Sequence, residues 1–500
     1  MRKQLKQLRK ALNEVADLGN AVAVLGWDQE TYMPKGSVAD RSCQLATLSR
    51  VAHLKATSAR LGKLLDFLEP KRGNLDPDSD DARLVKVAAR NFHKMVKVPA
   101  AFVAEMTKTA SEAQHAWAEA RERSDFPRFR PWLERVVTMK RRYAEFFAPF
   151  DHVYDPLLDD YEPGLKTADV KAVFDTLRGP QAALVKKIAA RPQVDSSFLS
   201  KNYPKDAQLK FAELVVGELG FDWAHGRQDL SAHPFTTSFG PGDVRITTRV
   251  MENYLPCCLF GSVHECGHAM YEQGVDAALS RTPLASGASL GVHESQSRLW
   301  ENLVGRSREF WEHFLPKLQA AFPAQLAGVG LEDFHRGVNR VEPSLIRVEA
   351  DEATYNLHIM LRFELELELL EGRAEVKDLP ELWRGRMRDY LGVVPATDAE
   401  GALQDIHWSM GSIGYFPTYA LGNLISAQLW EKLNQDLPGL PRQFAQGDFS
   451  GLLGWLRRNV HRHGAKFEPM ELLCQVTGSG LDAAPYLRYL EGKYAEIYGF

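Results

Sequence analysis

Two histidines four residues apart, with a glutamate directly after the first, are the residues in this chain best suited to do chemistry. They lie in Phe260-Gly-Ser-Val-His264-Glu265-Cys-Gly-His268-Ala-Met-Tyr271-Glu-Gln-Gly274. On an α-helix a four-residue step turns about 400° and rises about 6 Å. His264 and His268 then stack on one face, where two imidazoles can hold one Zn²⁺. Glu265 projects about 100° from His264. From there it can take a proton from a water on the metal without being a ligand, and deliver it to a leaving amine. That is the chemistry of metal-dependent peptide hydrolysis. Two satisfied core histidines would give the same pattern, but the apolar flanks and the Gly267 beside the second histidine favour the metal.

A catalytic zinc needs a third protein ligand and an open position. The metzincin continuation would put Gly and then His at positions 271 and 274, where this chain has Tyr271 and Gly274. A carboxylate must serve instead, and Glu272, Asp276, Glu294 and Glu301 follow the motif. Glu272 lies one turn past His268 on the same helix and would reach back only with strain. Glu294 opens a second helical pattern, Gly291-Val-His293-Glu294-Ser295-Gln296-Ser-Arg298-Leu-Trp300-Glu301-Asn302, entered through the flexible segment from Ser286 to Gly291. Glu294 is the expected third ligand, with Glu301 and Asn302 as partners for the histidine N–H groups.

The elements that must position these groups read mostly as helix. In the motif helix Leu259, Val263, Cys266 and Met270 share an arc opposite the histidines, so that side should face the core and Cys266 should be a buried thiol. Phe260 and Tyr271 flank the histidines, and Gly274 is a natural stop. Leu5, Leu8, Leu12, Val15 and Leu18 recur at spacings of three and four. Trp27 to Pro34 is expected to interrupt that pattern, which resumes from Gly36 to Leu54. Pro70 to Asp81 reads as a surface loop, and residues 82–124 as one or two long helices. Phe126 to Pro131 should break them before a helix from Trp132 to about Phe147. Tyr154 to Gly164 reads as an irregular acidic loop. Thr167 should cap a helix that Gly179-Pro180 ends, and further helices fit Gln181 to Ala190 and Pro204 to Leu219. His233 to Val250, rich in β-branched residues around Gly-Pro-Gly-Asp243, reads as a hairpin that could pair with an extended peptide. Pro343 to Gly372 is expected to form one long helix, although Phe363 to Leu370 alternates with period two. Gly401 to Gly422 reads as an irregular, aromatic-rich segment. The whole is mainly α, a large helical body with one small sheet and a groove. Residues 1–200 are expected to form one groove wall and residues 201–500 the catalytic part, within one peptidase domain.

Composition narrows the class. The chain is 45% hydrophobic and 25% charged, ordinary for a globular protein. A net charge of −4 gives no pull toward nucleic acid or anionic membrane. No window approaches a membrane span, and the basic start, Met1 to Lys10, is followed by no signal-type core. Five cysteines, an odd number, argue for a reducing compartment, with the cytoplasm expected.

Taken in order, further motifs accumulate: Trp27-Asp-Gln-Glu-Thr-Tyr-Met-Pro34, Tyr161-Glu-Pro-Gly164, Asp243-Val-Arg245-Ile-Thr247, His293-Glu294-Ser-Gln296, Ile346-Arg347-Val-Glu-Ala350-Asp351 and Gly401-Ala-Leu-Gln404-Asp405-Ile-His407-Trp408. With the histidine motif, this set resembles the carboxypeptidase Taq family of metallocarboxypeptidases over nearly the whole chain. The resemblance implies a helical fold with a deep groove, akin to neurolysin and angiotensin-converting enzyme. It also implies release of single C-terminal residues with broad preference, zinc or cobalt at the site, and a homodimer. Carried over by motif, His264, His268 and Glu294 correspond to the metal ligands and Glu265 to the catalytic base.

Such an enzyme must hold its substrate's free carboxylate, a task suited to the planar guanidinium of arginine. Arg347 is the first candidate, expected on one helix face with Asp351, Thr354 and His358, where a surface ion pair with Asp351 would be the plain explanation. Arg245 is the second, its plain explanation a salt bridge with Asp243. Donors for an oxyanion could come from His407, Tyr415 and Tyr419, which could equally be packing groups of a buried loop. Trp27, Asp28 and the 154–164 loop read as structural. Two competing readings are an oligopeptidase that cuts internally or releases dipeptides, and a peptide-binding scaffold without chemistry. The intact set of His264, Glu265, His268 and Glu294 argues against the scaffold.

Overall fold

The computed structural model describes all residues from Met1 to Phe500. The chain is mainly helical with one three-stranded sheet, as expected. It opens with a helical hairpin, Arg2–Thr31 and Val38–Ala56. The expected break at Trp27 comes only at Tyr32–Pro34. Residues through Thr31 are compatible with helix, and Thr31 bonds back to the Trp27 carbonyl (2.7 Å). The constraint arrives at Met33, which precedes a proline.

Several other boundaries differ from the sequence reading. Ser79 accepts from the backbone N–H of Ala82, so a helix starts at Asp80 and runs to Lys97, cutting short the 70–81 loop. Phe126–Pro131 does not break a helix but begins one, Phe126–Glu145. Asp125 caps it, and Pro127 lies in the first turn, where a missing N–H costs nothing. Gly179-Pro180 does not end the Thr167–Ala189 helix, because Leu177, Gln181, Leu184, Val185 and Ile188 bury its inner face on both sides of the proline. Thr167 is the first helical residue rather than the cap, and its hydroxyl donates to Asp155 (2.6 Å). The long helix expected from Pro343 starts only at Glu352 and runs to Glu371. Asp351 caps it, accepting from the N–H groups of Ala353 and Thr354, and Arg347–Glu349 is an isolated 3₁₀ turn before it. Arg347 therefore does not share a helix face with Asp351, Thr354 and His358. The period-two alternation of Phe363 to Leu370 does lie on helix, and Leu365, Glu366, Leu367, Leu369 and Leu370 are all buried there. The irregular 401–422 segment ends early, at the helix Pro417–Asp436.

The sheet contains the expected hairpin, β2 (Thr236–Ser238) antiparallel to β3 (Val244–Thr248), with Thr236 opposite Ile246. A strand absent from the sequence reading, β1 (Gly226–Leu230), pairs parallel to β3, with Arg227 opposite Arg245. Its sequence, Gly-Arg-Gln-Asp-Leu, has no β-branched or aromatic residue to mark it. β3 is central, and β2 keeps a free edge beside the motif helix.

The N-terminal hairpin is tied to this sheet. Asn20 donates to the Phe239 carbonyl (2.8 Å), Tyr32 donates to Asp229, and the Arg245 guanidinium lies 4.3 Å from the centre of the Trp27 ring. Asp28 pairs with Arg41 (2.6 Å). One large core joins residues 113–194 to helices after residue 341. A second gathers residues 198–338 with helices between 425 and 473. The Pro417–Asp436 helix contributes to both cores.

Candidate active site

The motif helix spans Leu255–Gly274 and stops at the expected glycine. Leu259, Val263, Cys266 and Met270 are buried, and burial pushes the Cys266 thiol well above its ordinary pKa. The second helix of the site is Leu290–Arg298, capped by Ser289 and continued by a wider π turn, Leu299–Val304, that carries Glu301. Glycines set how closely the helices cross. A Cβ on Gly267 would stand 2.6 Å from the Ser297 Cα, and one on Gly422 would stand 2.5 Å from the Glu294 Cγ. Glu294 is thus clasped between the motif helix and the Pro417–Asp436 helix. Buried Glu162, in the 154–164 loop, accepts from the Gly291 N–H (2.5 Å) and the Thr418 hydroxyl (3.1 Å), locking the start of the second helix.

His264, His268 and Glu294 converge, each offering one ligand atom within 4.8 Å of the others. The two Nε2 atoms lie 3.8 Å and 3.5 Å from Glu294 Oε2. Ligand atoms held tetrahedrally at about 2.0–2.2 Å from a zinc stand about 3.3–3.6 Å apart, so the set fits a small divalent cation. Charge fits as well. Glu294 and Glu301 pair with Arg298 and Arg306, while the buried Glu272 meets only His293, so these carboxylates outnumber the guanidiniums by one.

Each Nδ1 atom points away from Glu294. His264 Nδ1 meets Glu301 Oε2 (2.9 Å), and Arg298 and Arg306 in turn donate to Glu301 (3.4 and 3.2 Å). His268 Nδ1 meets His293 Nδ1 (2.6 Å), whose Nε2 meets Glu272 (2.8 Å). Glu301 therefore sits where the sequence placed it, and Asn302 does not. Asn302, on the π turn, instead accepts from Arg306 through Oδ1 (3.0 Å). Burial lowers His268 to about 3 despite the pull of Glu294, keeping a neutral imidazole. Burial also opposes charge on His264, but Glu294 and Glu301 outweigh it and raise that pKa. Arg298 donates to Glu294 Oε1 (2.7 Å), which leaves Oε2 for the histidine side. Burial raises Glu265 above the ordinary carboxylate range. Thr236, on β2, donates to its carboxylate (2.6 Å).

The expected substrate-side residues form a second cluster. Arg347 is buried, and its Nε and Nη2 donate to Asp405 (2.9 and 2.8 Å) while Nη1 donates to the Tyr355 hydroxyl (2.9 Å). The surface pair with Asp351 does not exist. Arg362 meets the other oxygen of Asp405 (2.6 Å). Burial holds Arg362 down at about 10, still charged at neutral pH, and burial works against Asp405 too, but the two arginines keep it well ionised. Burial lowers His407 to about 4, so it is neutral at pH 7. Two positive charges thus face one negative. His407 Nε2 meets the Tyr419 hydroxyl (3.3 Å), and Tyr415 lies tilted against His407 and edge-on to Tyr419. Arg245 is engaged otherwise. It donates to both oxygens of Asp243 (2.9 and 2.8 Å) and lies against the Trp27 and Phe239 rings. Tyr355 joins the clusters, with the Arg298 guanidinium 4.3 Å from its ring centre.

Sequence reasoning overlooked Thr236, Arg298, Tyr355 and the outer role of His293. Arg298 had a signal, the four-residue spacing from Glu294. Thr236 and Tyr355 had none, because they reach the site through tertiary packing.

The chain is similar to known proteins over nearly its whole length. Residues 7–494 match the family described as carboxypeptidase Taq (M32) metallopeptidase. Thermostable carboxypeptidase 1 of Thermus thermophilus is 44% identical over 97% of each chain, and carboxypeptidase 1 of Bacillus subtilis is 40% identical over 99% of this chain and 98% of its own. The crystal structure of an M32 carboxypeptidase from Deinococcus radiodurans superposes with a TM-score of 0.97 at 45% identity, covering 100% of both chains. The fold thus recurs in a solved M32 carboxypeptidase, and the chain belongs to the carboxypeptidase Taq family of metallocarboxypeptidases.

Proposed function

We propose that the chain removes single residues from the free C-termini of peptides with broad preference, using one divalent cation, Zn²⁺ or Co²⁺, held by His264, His268 and Glu294. The observation that carries this reading is the pairing of two buried clusters with opposite charge excess, one suited to a cation and one to a carboxylate. When bound, the cation would supply Lewis-acid polarisation of the scissile carbonyl and a more acidic water. Glu265, held by Thr236, accepts the proton from the attacking water and passes it to the leaving amine. Burial favours the protonated form that this second half-step needs. β2 offers its free edge as a rail for the peptide backbone.

Arg347 is the better candidate for the substrate carboxylate. Its contacts leave two of its five N–H donors free inside the buried cluster with Arg362, Tyr355 and Tyr419, whereas Arg245 is paired with Asp243 beside the Trp27 ring, away from that cluster. Tyr415, Tyr419 and His407 supply donors beside it for the oxyanion or the bound carboxylate. Residues 1–200 would form one groove wall. A homodimer and a cytoplasmic location complete the reading. The cytoplasm is supported by five cysteines that are all unpaired, and no helix is long and apolar enough to cross a membrane. The oligopeptidase alternative is not favoured, since the relatives are carboxypeptidases.

The test is cleavage of one peptide with its C-terminus free or amidated. Release of the last residue from the free peptide, with loss of nearly all cleavage on amidation, is expected. Unimpaired cleavage of the amide would sink the reading.

A further inference from the structure

The two histidines of the proposed ligand set are supported from behind in different ways. His264 rests directly on Glu301, whose charge is shared with Arg298 and Arg306. His268 meets another imidazole, His293, and only then a carboxylate, Glu272. Glu272 is buried, and its one ion-pair contact is His293. The His293 ring is wedged in place. It packs 4.7 Å from the His268 ring and 5.1 Å from the Tyr271 ring, centre to centre, and a Cβ on Gly287 would stand 2.7 Å from its Cδ2.

We propose that His293 and Glu272 act in series as positioning residues, fixing the tautomer of His268 and delivering the Glu272 charge to it. The inference rests on His268 being a metal ligand through Nε2, as read above. A neutral His268 with Nε2 turned to the cation carries its proton on Nδ1 and must donate to His293 Nδ1. His293 must then carry its own proton on Nε2 and donate to Glu272 Oε1. Only this arrangement of protons satisfies all three groups with both imidazoles neutral. The carboxylate makes His293 a better acceptor, and His293 makes the His268 imidazole a stronger electron donor toward the metal. Because the charge passes through one ring, neither outer residue works without the other.

The experiment measures Zn²⁺ affinity of the metal-free chain by competition with a chromophoric chelator. The variants are Glu272→Ala, Glu272→Gln, His293→Gln, the double variant Glu272→Ala/His293→Gln, and His268→Ala. Thermal melting of each metal-free protein separates folding from binding. Glu272→Ala and His293→Gln should each weaken binding about 10–100-fold without lowering the metal-free melting temperature to match. Glu272→Gln, which keeps an acceptor but loses the charge, should fall between wild type and Glu272→Ala. The double variant should bind within about threefold of His293→Gln alone, since groups in series do not add. Affinity of Glu272→Ala within about twofold of wild type would overturn the proposal, as would a double variant weakened by the product of the single losses. Wild-type affinity in His268→Ala would instead show that the ligand set itself is wrong, and the relay would fall with it.

Discussion

The metal centre and the Arg347 cluster are both made of buried charge, but they balance it in opposite directions. At the metal centre three buried carboxylates, Glu272, Glu294 and Glu301, outnumber two guanidiniums, Arg298 and Arg306. In the Arg347 cluster two guanidiniums share the single carboxylate of Asp405. An uncompensated buried charge is costly, typically several kcal/mol. A fold that leaves one standing marks a place where a ligand completes the balance. The first excess calls for a divalent cation and the second for one carboxylate, which are the two things a metallocarboxypeptidase must hold. Tyr355 sets the distance between them, with Arg298 on its ring and Arg347 on its hydroxyl.

The comparison breaks most sharply at Glu265. Glu265→Gln should lower kcat by on the order of 10²–10⁴-fold while metal content, read by elemental analysis, stays at the wild-type level. Full activity in that variant would remove Glu265 as the base.

Next comes the arginine cluster. Arg347→Met should lower kcat/KM for free-acid peptides about 100-fold, the worth of a charge-assisted bond, and erase most discrimination against the amidated peptide. Arg245→Met should leave that discrimination in place. The reverse result would move the carboxylate site to β3.

Thr236 tests the link between β2 and the base. Thr236→Val should reduce kcat about 10–100-fold with little change in KM, since a hydrogen bond to a charged group is worth about 1.5–3 kcal/mol. Thr236→Ser should restore most of it. Equal losses in Val and Ser variants would mean that packing, not the hydroxyl, matters.

The smallest effect is on stability. Glu366 accepts from Tyr154, Trp408 and the Gly414 N–H, pinning the segment that carries His407. Burial outweighs those bonds and raises its pKa to about 7 from an ordinary 4.5. A carboxyl with a raised folded-state pKa contributes stability that is complete below about 4.5 and is lost as pH rises through about 7. Glu366→Gln does not titrate, so the melting-temperature advantage of wild type over the variant should shrink between pH 5 and pH 8. A constant difference across that range would place the Glu366 pKa elsewhere.

The same two regions differ in how much of them the sequence could disclose. His264, Glu265 and His268 are bound by helical spacing, and Glu294 lies on a second helix that a short loop returns beside the first, so only the close crossing at Gly267 and Gly422 was hidden. The Arg347 cluster draws on a 3₁₀ turn, a capped helix start and the irregular loop before Pro417. No periodicity reaches across those pieces, and Arg347 was accordingly placed on the wrong element and given the wrong partner. The missed proline positions have different causes. Pro127 lies where a helix tolerates it, and Pro180 is carried by buried neighbours. The first is a local start signal in the sequence, the Asp125 cap followed by a first-turn proline, and the second depends on burial that local propensity does not show. β1 was invisible because its pairing with β3, not its residue types, makes it a strand.

The most direct measurement is a crystal structure of the zinc-loaded chain with an anomalous difference map at the zinc edge. The expected result is one peak per chain at about 2.0–2.2 Å from His264 Nε2, His268 Nε2 and a Glu294 carboxylate oxygen, with His293 and Glu272 outside ligand distance. A peak ligated by His293 or Glu272, or none between the two helices, would contradict the proposed metal centre.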